Sequence, residues 1–128
     1  NCEIESMDLP TYLSTTAEGN YTASIGGYSS SDMVSYLVGV YHSKSIGASN
    51  KTRLNNPEID ALIDEAAATV DPEAREVILK EVTVQLNELC SQVSLYQDMY
   101  LRAYNASLEG VDINAGGNIR FQDISWKA

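Results

Sequence analysis

The chain predicts an α/β fold in which helices pack on a small mixed sheet. Three observations carry that expectation. Two helices start at Asn56-Pro57 and Asp71-Pro72, each followed by apolar residues at helical spacing. Residues 2–7, 21–27 and 119–126 alternate in character, as half-buried strands do. A run of small residues, Gly26-Gly27-Tyr28-Ser29-Ser30-Ser31-Asp32, follows the second of these stretches and lets the backbone turn sharply.

Taken in order, Cys2, Ile4 and Ser6 point one way and Glu3 and Glu5 the other, giving a first strand. Asp8 is placed to cap a short helix with Leu9-Pro10 in its first turn. Tyr12, Leu13 and Ala17 form its buried side, and Gly19-Asn20 ends it. Tyr21, Ala23, Ile25 and Gly27 continue as a second strand, so residues 2–27 read as a parallel β-α-β unit. Ser31 or Asp32 caps a helix carrying Met33, Tyr36, Leu37, Val40 and Tyr41. A polar loop from Ser43 to Asn55 follows, containing Gly47, Asn50 and Arg53.

The two proline-started helices come next. Asn56 and Asp71 are good N-caps, and proline at the first helical position loses an N–H that has no partner there anyway. Glu58 and Glu73 place negative charge at the positive end of each helix dipole. Ile59, Leu62, Ile63, Ala66, Ala67 and Val70 share one face; Ala74, Val77, Ile78, Val82, Leu86 and Leu89 share another. Glu76 and Lys80 form an i, i+4 pair in the favourable order. After Cys90 the period changes, and Val93, Leu95, Tyr96, Met99 and Tyr100 read as a strand. Residues 105–118 are turn-rich, and the tail from Ile119 to Trp126 alternates again.

With 128 residues there is enough chain for one modest core. A net charge of −10 argues against nucleic acid as a partner and against docking to anionic membranes, since both need a basic surface. No apolar run is long enough to span a bilayer, and no signal peptide is visible. The two cysteines, Cys2 and Cys90, read either as two buried thiols or as a single bridge.

The residues needed for catalysis are not assembled in the sequence, so an enzyme is not expected. The lone histidine, His42, reads as a helix-end or surface residue, and no Gly-x-Ser-x-Gly elbow surrounds any serine. Cys2, Cys90 and His42 lack the close spacing of a metal site, and no phosphate-cradling Gly-Lys-Ser/Thr occurs; no metal or cofactor is expected. Asp60, Asp64, Glu65, Glu73 and Glu76 fall where an exposed helix face would put them.

Residues Asn56 to Ala66, Asp71 to Arg75 and Val93 to Tyr96 together resemble the C-terminal part of extracellular solute-binding proteins. The class is the one that feeds ABC importers of peptides, nickel and related solutes. The likeness extends to Gly26-Gly27-Tyr28 upstream and to Arg120 through Trp126 at the end. It implies part of the C-terminal lobe of a two-lobed, periplasmic-binding-protein-like fold. Residues 1–104 would belong to that lobe, and 105–128 would be a return segment ending in a strand.

The implied activity is non-catalytic capture of an oligopeptide, dipeptide or related solute for uptake. The implied partners are that solute and the permease subunits of the transporter. The implied setting is the outer face of a bacterial membrane or the periplasm, with membrane attachment only through a lipoprotein anchor absent from this chain. Because such proteins are several times longer, and the chain opens on Asn1-Cys2-Glu3-Ile4 as if inside a strand, a fragment is expected.

A binding site needs a concave place with a few aimed polar groups, and in open α/β sheets ligands gather beyond the C-terminal ends of strands. That makes Tyr28, Ser29, Ser30, Ser31 and Asp32 the candidate ligand-binding residues, with Asn50 and Arg53 as additional ones. The resemblance implies an aromatic lining at Tyr28. The aspartate expected three residues later is replaced by Ser31, and the carboxylate arrives at Asp32, which serves either as a ligand contact or as a helix cap. The alternative function is an independent protein-interaction domain using the tyrosine-rich surface of Tyr21, Tyr28, Tyr36, Tyr41, Tyr96, Tyr100 and Tyr104.

Overall fold

A computed structural model describes residues 3–97, 99, 101–114 and 116–127. They contain four α-helices, two single-turn 3-10 helices and one two-stranded antiparallel sheet. The chain divides into two compact units, Asn1–Val93 and Ser94–Ala128.

All four helices of the first unit start at a side-chain cap. In α1, Leu9–Glu18, the Asp8 carboxylate accepts the Thr11 N–H at 2.9 Å, and Gly19 closes the helix at φ 84°. A left-handed turn of that kind is open to glycine at little cost. In α2, Met33–Val40, Asp32 accepts the Ser35 N–H. In α3, Pro57–Ala68, Asn56 accepts from Glu58 and Ile59, and in α4, Pro72–Leu89, Asp71 accepts from Ala74. Each cap satisfies an N–H that the helix itself leaves without a partner.

The core lies where α2, α3 and α4 meet. Leu37, Ile59, Ile63, Val82 and Leu86 are buried there, and Tyr36, Tyr41, Leu54, Leu62 and Ile78 pack around them. The turn between α3 and α4 is pinned by Arg75, whose Nε donates to the Thr69 carbonyl at 2.7 Å. The expected apolar faces are narrower than their sequence pattern. Val77 lies about 100° around the helix from Ile78 and is 66% exposed. Val70 follows the last turn of α3 and is 85% exposed. Ala67, Ala74 and Leu89 also face outward. The 12-residue α3 covers only one side of the 18-residue α4.

The expected β-α-β unit is not formed. Its helix is present as α1, but residues 3–7 and 21–27 form no strand. Their backbone groups are joined by no ladder among the described residues. Alternation prepares a segment for a sheet, but a strand exists only when a neighbouring edge takes up its N–H and C=O groups. The first strand's opening residue, Cys2, lies outside the described residues. Leu13 is exposed, and Thr16 takes the buried side of α1, with its hydroxyl donating to the Tyr12 carbonyl.

In the second unit, β1, Leu108–Glu109, pairs antiparallel with β2, Ser125–Trp126, in the register Leu108 opposite Trp126. An isolated bridge joins Ile113 to Ile119, and the Asn114 side chain accepts the Gly116 and Asn118 N–H groups to close the loop between them. Gly110 is required where it stands: it has φ 74°, and a Cβ there would overlap the Asp123 carbonyl. The expected tail strand is thus interrupted, with a 3-10 turn at Phe121–Asp123 ahead of the short β2. The strand expected at 93–100 is not formed among the residues described there; Tyr100 lies outside them.

Two substitutions test this framework by chemical denaturation. Ile63→Ala removes a fully buried side chain and is expected to cost about 2–5 kcal/mol. Asn56→Ala removes a cap and is expected to cost about 1 kcal/mol. Equal effects for the two variants would contradict the placement of the core.

Candidate functional site

The loop from Gly26 to Asp32 is exposed throughout and leads directly into α2. Residues 20–25, which run into it, form one wall of a groove of about 1030 Å³, with residues 3–7 and α1 forming the rest. Ile4, Leu9, Tyr12, Tyr21 and Ile25 give the groove an apolar lining, and Glu3 and Glu5 stand at its edge. A shallower groove of about 470 Å³ lies between Asn56, Glu58, Gln85, Glu88 and Leu89.

Tyr28 anchors the loop. Its ring meets Tyr36 edge-on, with centroids 6.0 Å apart, and Tyr36 meets Tyr41 in the same way at 6.1 Å. Edge-to-face contact sets the positive rim of one ring against the negative face of the next. The row runs from the half-exposed Tyr28 to Tyr41 beside the core, where burial first and then the neighbouring Tyr36 push the Tyr41 phenol up to about 12. Tyr28 is 46% exposed, leaving part of its surface open to solvent.

Asp32 is committed to the helix. Its Oδ1 accepts the Ser35 N–H at 2.9 Å, and its Oδ2 accepts the hydroxyls of Ser35 at 2.7 Å and Ser31 at 3.2 Å. These bonds, the Ser35 backbone N–H foremost, hold its carboxyl below the usual aspartate range. Ser30 donates to the Asp32 carbonyl at 3.1 Å. Ser29, Ser30 and Ser31 are exposed beside Tyr28.

Asn50 and Arg53 are engaged elsewhere. Asn50 is 1% exposed, and its Nδ2 donates to the carbonyls of Tyr41, His42 and Leu54, each at 3.1 Å. Its Oδ1 accepts the Thr52 hydroxyl at 2.7 Å. One buried amide thereby satisfies the chain reversal after α2, a demand that no backbone ladder meets. Arg53, at φ 53°, donates from Nη1 to the Ala17 carbonyl at 3.1 Å and lies against Gly19. Its cation therefore sits at the negative end of α1. The Tyr21 hydroxyl donates to the Lys51 carbonyl and makes a second tie between the same segments.

His42 stands at the end of α2, as the helix-end alternative has it, but is buried rather than on the surface, and it centres a cluster with no counterpart in the sequence expectations. Its Nδ1 and Nε2 lie 3.3 Å from Asp60 and 3.3 Å from Asp64, respectively. Asp60 is not a solvated carboxylate: it accepts the Ser43 N–H at 2.9 Å and the Ser43 hydroxyl as well. The visible signal for this cluster is the i, i+4 spacing of Asp60 and Asp64 on α3, opposite the chain's one histidine. The arrangement fastens the end of α2 to α3. It is no Ser-His-Asp triad, because the Ser43 hydroxyl donates to Asp60 and not to the imidazole, whose two nitrogens face carboxylates.

Among the described residues no group of His, Cys, Asp and Glu is placed to hold a metal, and no helix is long and apolar enough to cross a membrane. Cys90 is an exposed free thiol at the left-handed end of α4, not a buried one.

No family model matches the chain. Over 75 residues it is 37% identical to Heme-binding protein A of Haemophilus influenzae. That stretch takes in 57% of this chain and 14% of the relative, so the chain spans only a small part of that protein's length. The partial likeness is to a protein named for binding a molecule, not for transforming one.

Two measurements test the assignments made here. Asn50→Ala leaves three carbonyls without their donor and is expected to lower the unfolding free energy by about 1–3 kcal/mol, whereas Arg53→Ala, at an exposed cap, is expected to have a smaller effect. The His42 hydrogen bond, then Lys44, hold the Asp64 carboxyl below its ordinary 3.8. A depressed carboxyl stabilises the fold above its unfolded value and loses that contribution as pH falls from about 4 downward. Acid titration of the unfolding midpoint should therefore be shallower below pH 4 in Asp64→Asn; an unchanged slope would contradict the His42 contact.

Proposed function

We propose that this chain is part of a solute-binding protein that captures a small solute outside the cell for uptake by an ABC importer. The loop from Tyr28 to Ser31 is its contribution to the ligand site. The observation that carries the reading is the half-exposed Tyr28, seated among serines in the exposed loop that follows the groove-lining residues 20–25. The sequence resemblance to the peptide and nickel class and the partial likeness to a heme-binding protein support it.

The chemistry of the site narrows the solute. Asp32 already accepts three donors of its own helix start, the Ser35 N–H and the hydroxyls of Ser35 and Ser31, so it has little left for a ligand ammonium group. An extended face of aromatic and apolar surface with hydroxyls at its rim suits a flat, largely apolar solute better than a free amino terminus. Heme is therefore the first solute to test, and an oligopeptide the second. Capture in this class closes a second lobe over the ligand, and the contacts of the closed state supply most of the affinity. The 128-residue chain alone should consequently bind weakly.

A second reading, a protein-interaction module, is favoured by one observation: Leu101, Tyr104, Phe121 and Trp126 of the second unit are more than half exposed. In the solute-binding reading these residues pack against parts of the longer protein.

The decisive experiment titrates the longer protein with hemin, followed by its absorption band, and with a mixed peptide library, followed by mass spectrometry of retained ligand. Tyr28→Ala is expected to weaken binding about tenfold or more, a loss of about 1.4 kcal/mol. Retention of full affinity in Tyr28→Ala, or submicromolar binding by the isolated chain, would overturn the proposal.

A further inference from the structure

The loop that carries Tyr28 is held by two contacts of the same kind. The Tyr12 hydroxyl from α1 lies against Gly26, where a Cβ would overlap it. The Tyr28 hydroxyl lies against Gly39 near the C-terminal end of α2, and a Cβ there would overlap both the hydroxyl and the ring carbon that bears it. Gly39 is buried inside a helix, where glycine is the poorest ordinary choice and alanine the best. Its backbone is not left-handed, so no turn requires glycine at that position. What the position does require is the empty space.

We infer that Gly39 is a positioning residue for the ligand-binding loop: the missing side chain makes a notch on α2 in which Tyr28 seats. The inference rests on the solute-binding reading for its functional consequence, but the notch itself is a property of the fold. Tyr28 is the first ring of the row that continues through Tyr36 to Tyr41. With the hydroxyl lodged in the notch, the ring reaches Tyr36 and still leaves part of its surface exposed. Filling the notch pushes the ring off α2. The loop is fixed at its far end by the Asp32 cap and at its near end by Tyr12, so the displacement falls on the Tyr28 side chain between them.

The test is a double-mutant cycle between Gly39→Ala and Tyr28→Ala, which isolates the coupling of the two sites. In the 128-residue chain with labelled tyrosine rings, Gly39→Ala is expected to abolish the cross-relaxation between Tyr28 and Tyr36 while keeping that between Tyr36 and Tyr41. Its melting temperature should rise less than helix propensity alone would give. In the Tyr28→Ala background the same substitution should raise it in full, because nothing then occupies the notch.

In the longer protein, Gly39→Ala should weaken hemin binding about as much as Tyr28→Ala, and the double variant no further. Intact ring contacts in Gly39→Ala, or identical effects of Gly39→Ala in both backgrounds, would overturn the notch. Should Gly39→Ala fail to fold, recovery in the double variant supports the notch and failure of both overturns it. Absence of hemin and peptide binding by the unsubstituted protein would sink the solute-binding reading alone, since the ring contacts are read without ligand.

Discussion

The first unit depends on burying one stripe of α3, Ile59, Ile63 and Ala66, all fully removed from solvent. Val82 and Leu86 of α4 and Leu37 of α2 form the core cluster with Ile59 and Ile63, so α3 is the element on which the other two are assembled. Apolar burial of this kind is the main favourable term available to a chain of this size. The polar contacts act on geometry. His42 between Asp60 and Asp64, with Ser43 on Asp60, fixes where α2 ends relative to α3.

From that centre the order propagates outward with decreasing support. Asn50 closes the reversal after α2 through three carbonyls. The residues beside it, Lys51 and Arg53, then receive or hold the end of α1 through Tyr21 and the Ala17 carbonyl. The candidate loop hangs between these two layers, tied to α1 by Tyr12 against Gly26 and to α2 by Tyr28 against Gly39 and by the Asp32 cap. A loop held at several points and open between them combines a defined shape with accessible side chains, as the proposed capture site requires. Residues taken from polar-loop composition alone as ligand contacts, Asn50 and Arg53, turn out to be the fasteners of this arrangement.

The same gradient explains the surfaces that remain apolar. Residues 3–7 and 21–27 carry Ile4 and Ile25 outward at 89% and 79% exposure, and Phe121 and Trp126 of the second unit stand open as well. These are segments whose sequence is written for a sheet, and among the described residues only Leu108–Glu109 and Ser125–Trp126 pair as named strands. In the proposed function they meet the remainder of a larger protein.

Sequence alone determined what is decided within a few residues. The helix starts at Asp8, at Ser31 or Asp32, at Asn56 and at Asp71, the glycine end of α1, and the Glu76–Lys80 pair, found at 2.6 Å, all follow from neighbours one turn apart. The place of Tyr28 beside a small-residue loop was legible for the same reason. Tertiary structure alone decided whatever needs a partner distant in the chain. Alternation could not supply the missing strand edges, and hydropathy could not tell that His42 would be enclosed by α3. Composition could not show that Asn50 would be the buried amide of a chain reversal. A cap or a turn is satisfied by its own backbone, whereas a ladder, an ion cluster or a notch for a ring exists only once two remote segments have met.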